Sequence, residues 1–107
     1  MRELTGIRHE VSIVVTDDIA ISFLGHSGAR VLGTPWMILW MERTSRDAVK
    51  PLLPEGWDTV GTLVNVRHVS AAPLGATVLF RAEVIEQTAK ALTFRVSAES
   101  GGRVVGA

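Results

Sequence analysis

The sequence predicts an α+β domain in which an antiparallel sheet wraps one long central helix. Two observations carry the prediction. Trp36 to Lys50 contains no Gly or Pro, and its first half is apolar nearly all round. Before and after it, apolar and polar residues alternate with the two-residue beat of half-buried strands. A helix that is greasy on most sides has to be covered by the sheet that accompanies it. The chain has 107 residues, a length that suits one domain, residues 1–107.

The first strand is read from Gly6 to Val15. Ile7, Val11, Ile13 and Val15 recur at every second position, with His9 in the missing place. Asp17-Asp18 ends it, and Ile19 to Leu24 is a short apolar stretch of uncertain type. Gly25 to Gly33, with three glycines, reads as a flexible loop. Thr34 is a fit N-cap and Pro35 suits the first helical position. Pro51 stops the helix, a rod of roughly 24 Å. Its first half would be buried deeply, and its second, mixed half would reach solvent. After the loop Pro51 to Asp58 the alternation returns. Thr59 to Ser70 sets Val60, Thr62, Val64, Val66 and His68 on one face. Ala72 to Gly75 turns the chain, Thr77 to Glu86 and Leu92 to Glu99 form a hairpin, and Ser100-Gly101-Gly102 is a second tight turn. A last strand begins at Arg103 and is cut short at Gly106-Ala107.

Composition excludes several classes. Eleven basic residues balance eleven acidic ones, so bulk electrostatics would not hold nucleic acid. No apolar run approaches the roughly 20 residues of a membrane span, and Met1-Arg2-Glu3-Leu4 opens no secretory signal. The expected setting is therefore cytoplasmic, with neither a nucleic-acid nor a membrane partner. With no cysteine there is no disulfide, thiolate metal site or Cys nucleophile, and no metal or cofactor is expected. A chain this short has a modest core, which a second copy would enlarge.

Three residues are odd for a purely structural chain. Glu42 follows the most apolar run of the sequence and falls at the edge of the helix stripe. It is either one half of an i,i+4 surface pair with Arg46 or a carboxylate lining a cavity, able to act as base or nucleophile. His68 takes an inward slot in a Val/Thr alternation, as a satisfied core residue or as a proton carrier. Thr34 is either an ordinary cap or part of a helix N-terminus bared to bind a carbonyl oxygen or phosphate. In the second case the amides of Thr34, Trp36 and Met37 would be the free donors. His9 and His26 have no partner motif.

The run Val31-Leu32-Gly33-Thr34-Pro35-Trp36-Met37-Ile38-Leu39-Trp40-Met41-Glu42 resembles the helix signature of hot-dog-fold thioesterases of the fluoroacetyl-CoA thioesterase type. Leu53 to Gly56, the run Thr59 to His68, and Ala72-Pro73-Leu74-Gly75 are similar to the loop, central strand and turn of the same group. The resemblance implies a hot-dog fold and hydrolysis of a small acyl-CoA thioester. It also implies a homodimer with its sites at the subunit interface, and a catalytic trio matching Thr34, Glu42 and His68. By the same resemblance Gly61 and Trp36 would fall beside the acyl pocket, and coenzyme A would be part of the substrate rather than a cofactor. Glu42 lies eight residues, about 12 Å of helical rise, beyond Thr34. The two meet only if the chain bends near Pro35 or if the trio is completed across the dimer. The family places aromatic residues before the helix as a lid. Gly25 to Gly33 has none, the nearest being Phe23, so the resemblance leaves the acyl group unassigned and does not extend to fluoroacetyl selectivity. A non-catalytic CoA-ester-binding or assembly module on the same fold is the alternative. A hydratase ranks last, since Asn65 lies on the strand face opposite His68.

Overall fold

The computed structural model describes residues 3–22 and 30–107. Six strands and one long helix follow in the order β1 (Arg8–Val14), β2 (Ala20–Ser22), β3 (Arg30–Leu32), α1 (Thr34–Val49), β4 (Thr77–Gln87), β5 (Leu92–Ser100) and β6 (Arg103–Gly106). Four of the strands form an antiparallel sheet in the order β1-β4-β5-β6, and β2 pairs with β3 in a small antiparallel sheet. The β5–β6 turn needs two left-handed residues, Gly101 at φ 58° and Gly102 at φ 77°. Glycine adopts that conformation without a Cβ clash.

The alternation read from the sequence is the burial pattern of the sheet. In β4, Val78, Phe80, Ala82 and Val84 are buried, while of the residues between them Leu79 and Glu83 are half-buried and Arg81 is exposed. Helix α1 lies on this inner face. Its buried residues Met37, Met41, Thr44, Ser45, Ala48 and Val49 fall at i, i+4, i+7, i+8, i+11 and i+12, one stripe along the whole rod. The expectation of one buried end and one solvated end is therefore corrected. Trp36, in the greasiest half, is exposed, whereas Ala48 and Val49 at the other end are buried. Burial follows the face that meets the sheet, not local hydrophobicity. Thr44 and Ser45 tolerate this because their hydroxyls donate to the carbonyls of Trp40 and Met41 one turn back, at 2.6 and 2.8 Å.

Other boundaries shift for local reasons. The N-cap of α1 is Gly33, and Thr34 is already helical. The helix ends at Val49, and Pro51 sits inside a following 3₁₀ turn, Lys50–Leu52. Ile19 closes a 3₁₀ turn, Asp17–Ile19, and the uncertain stretch after it becomes β2. Arg30–Leu32, read as loop, is strand β3. Residues 23–29, with Phe23, His26 and most of the glycine-rich stretch, lie outside the described residues. The small sheet is pinned by the Arg30 guanidinium, which donates to the Asp17 carboxylate at 2.6 Å and to the carbonyls of Asp17 and Ala20 at 3.0 and 2.7 Å.

The largest departure is the expected strand Thr59 to Ser70. Residues 58–67 join no ladder among the described residues. Residues 60–65 are exposed on both parities, with Val60 at 83% and Leu63 at 86%. Only at its far end is the segment paired, by a bridge between His68 and Gly106. Arg67 and Ala107 exchange amide bonds of 2.8 and 3.1 Å beside that bridge. The alternation was real, but among the described residues no strand pairs with it.

Candidate functional site

The unpaired segment is a strap that runs back along α1. Near the C-terminal end of the helix, Lys50 donates through Nζ to the carbonyl of Trp57. One turn earlier, Arg46 donates through Nε and Nη2 to both carboxylate oxygens of Asp58, each at 2.9 Å. These bonds and the Thr59 amide hold the Asp58 carboxyl down at about 2. A further turn back, the Glu42 carboxylate lies over Gly61. A Cβ built on Gly61 would stand 3.0 Å from Oε1 and 3.1 Å from Cδ. At the first turn, Thr34 Oγ1 and His68 Nδ1 share a hydrogen bond of 2.7 Å.

Each contact has a local cause. Because Gly33 occupies the cap position and makes no side-chain cap bond, the Thr34 hydroxyl is not spent on the helix end and turns to His68 instead. The amides of Trp36 and Met37, expected to be free donors, both point at the Gly33 carbonyl at 3.1 Å. That leaves Thr34 N–H as the outward donor of the first turn, since Pro35 has none. The surface pair expected between Glu42 and Arg46 does not form, because Arg46 is turned to Asp58 and, at 3.6 Å, to Asp47. Glu42 is exposed and makes no hydrogen bond or ion pair among the described residues.

The trio therefore separates into two pairs within one chain, Thr34 with His68 and Glu42 with Gly61. His68 is half-buried. Its Nε2 is buried with no hydrogen-bond partner among the described residues, so Nδ1 is the nitrogen that carries an interaction. Trp36 is 39% exposed. Together with Ile21 it brackets Gly33, where each would stand 3.2 Å from an added Cβ. Apolar side chains thus flank the cap residue that precedes Thr34.

Several participants escaped the sequence reading. Ile21 lay in a stretch of uncertain type. Asp58 read as the end of a loop. Gly106 is tight because a Cβ there would collide with Met37 Sδ and come within 2.9 Å of Met37 Cε and 3.0 Å of the Arg67 carbonyl. No local pattern announces a glycine of that kind. Among the described residues, no group of three or more His, Asp or Glu is arranged to hold a metal ion. No helix among them is long and apolar enough to cross a membrane.

One long helix laid across an antiparallel sheet in this strand order is the hot-dog fold. The chain belongs to the fluoroacetyl-CoA-specific thioesterase family, whose model matches residues 14–107. A fluoroacetyl-CoA thioesterase of Streptantibioticus cattleyicolor is 36% identical over 76 residues, which are 71% of this chain. The match spans 55% of that relative's length. A Thermus thermophilus protein described as a thioesterase superfamily member superposes with a TM-score of 0.86 at 30% identity, covering 99% of this chain and 80% of the other. A variant of the fluoroacetyl-CoA-specific thioesterase, solved with fluoroacetate and CoA, superposes with a TM-score of 0.85 at 29% identity, covering 99% and 88%.

Proposed function

We propose that this chain hydrolyses a small acyl-CoA thioester at a site built by two copies, in which Thr34 and His68 of one copy work with Glu42 and Gly61 of the other. The observation that carries the reading is the 2.7 Å contact between Thr34 Oγ1 and His68 Nδ1 at the first turn of a helix. There an outward amide and a hydroxyl–imidazole pair stand together. The family membership supports the reaction class.

The chemistry follows from what thioester hydrolysis needs. The carbonyl oxygen gains charge as the tetrahedral intermediate forms, and the Thr34 amide is aimed outward to receive it. With Nδ1 bare, the Thr34 hydroxyl donates to it, and the imidazole can take a proton from the attacking group and return it to the leaving thiolate. Glu42, an exposed carboxylate with no partner of its own among the described residues, supplies the anion that activates the nucleophile or attacks directly. Trp36 and Ile21 line the acyl side. Coenzyme A enters as part of the substrate, and no other cofactor is required.

The two-copy arrangement has a geometric motive. Eight residues of helix separate Thr34 from Glu42 by about 12 Å, and α1 is one continuous helix across Pro35. The strap, with Val60 and Leu63 outermost, carries backbone that no ladder uses among the described residues, and the same segment of a second copy would pair with it. Mixing two crippled variants tests the arrangement. Glu42→Ala and His68→Ala should each be inactive on acetyl-CoA. Their exchanged mixture should recover about a quarter of wild-type turnover, because half the dimers then hold one intact site. No recovery would return the trio to a single chain. Absence of turnover by the wild type on any short acyl-CoA would favour the non-catalytic binding module.

A further inference from the structure

We infer that Trp57 is a stacking platform for the adenine base of coenzyme A, at the far end of the strap from the Thr34–His68 pair. This deepens the CoA-ester reading and rests on it for the identity of the ligand. Trp57 is 54% exposed, and neither the core nor the helix accounts for it. Trp40, by contrast, packs 6.5 Å from Phe80 and carries Arg43 over its ring. The Trp57 backbone is also held on both sides. Its amide donates to the Pro54 carbonyl at 3.0 Å, its carbonyl accepts from Lys50 Nζ, and the next residue, Asp58, is clamped by Arg46. An exposed aromatic on an anchored backbone loses little freedom when a base stacks on it.

The ring lines a cleft of about 490 Å³ shared with Glu3, Gln87, Thr88 and Ala89. The lining selects for a base over a phosphate. The Glu3 carboxylate, held below its usual range by hydrogen bonds from Thr5, repels a phosphate but accepts from an exocyclic amine such as that of adenine. Trp57 lies toward the C-terminal end of α1, where Lys50 holds its carbonyl, eight residues or about 12 Å along the helix from Glu42.

The test compares a thioester that carries the base with one that lacks it. With acetyl-CoA, Trp57→Ala should raise KM about tenfold, the range for loss of one base–aromatic stack, with kcat unchanged. With S-acetylpantetheine the same substitution should leave KM where it was, and Trp57→Phe should restore most of the acetyl-CoA value. Calorimetric titration with free CoA gives a readout independent of turnover, in which Trp57→Ala should weaken binding by the same factor. Circular dichroism checks that the variant is folded. Equal CoA affinity in wild type and Trp57→Ala, or an equal KM change with both thioesters, overturns the platform and leaves hydrolysis standing. Trp57-dependent CoA binding without turnover upholds the platform and defeats hydrolysis.

Discussion

Replacing Gly61 by alanine separates position from presence at the site. Gly61 is exposed and its φ is not in the left-handed region, so alanine adopts its backbone without strain. The three heavy atoms nearest the added methyl all belong to the Glu42 carboxylate, Oε1 at 3.0 Å, Cδ at 3.1 Å and Oε2 at 3.4 Å. Those separations are short of ordinary van der Waals contact, so the carboxylate has to give. Glu42 is exposed and has no hydrogen bond to hold it among the described residues, so it yields by rotating rather than by straining the fold. Stability should therefore change by no more than about 0.5 kcal/mol, or rise slightly through the less flexible unfolded chain. Activity should respond very differently. A reacting group displaced by about 1 Å forfeits up to a hundredfold in rate, about 2.7 kcal/mol of barrier. The expected result on acetyl-CoA is a kcat lowered ten- to hundredfold with an unchanged urea midpoint. Wild-type kcat in a folded Gly61→Ala variant would refute the claim that Glu42 works from its place over this glycine. A large loss of stability would instead mean that the strap needs glycine for its own packing.

Gly106→Ala should behave in the opposite way. Its methyl collides with the buried Met37 thioether and the Arg67 carbonyl, and overpacking of this kind costs about 1–3 kcal/mol in urea denaturation. Shortening Met37 in the same chain should recover part of the loss. Phe80→Ala, at a side chain with 0% exposure in the centre of the larger core cluster, should lower stability by about 3–5 kcal/mol. Asp58 makes stability fall in acid. Its carboxyl sits at about 2 in the folded chain against an ordinary 3.8. The contribution is thus fully present above the unfolded value and is lost as pH falls through the folded one. Thermal melts between about pH 4 and pH 2 should show a decline that Asp58→Asn flattens. Leu63→Lys, on the open strap, should shift the sedimentation of the chain toward the monomer and abolish turnover together.

Much of the fold was legible because burial on one face writes itself into spacing. The alternation of Val78, Phe80, Ala82 and Val84 marked β4, and the glycine pair at 101–102 marked the turn that follows β5. The proline at 51 marked the end of the rod to within two residues. Where the reading failed, the deciding quantity was not periodic. Thr34 and Gly33 compete for one cap position, and glycine takes it at no steric cost, which frees the hydroxyl. Arg46 can reach either Glu42 or Asp58. It takes the fork on Asp58, where both oxygens lie 2.9 Å away.

The sequence by itself determined the long helix, the strands β1, β4, β5 and β6 that accompany it, the family, and the residue types that could do the chemistry, because those follow from spacing and side-chain identity. Only the tertiary structure decided who meets whom. It laid the strap antiparallel to the helix, and so joined Thr34 to His68 across thirty-four residues and set Glu42 over Gly61. It also left residues 58–67 without a ladder partner among the described residues. Such contacts depend on how separate segments are brought together in space, and the local spacing of residues carries no record of that distance.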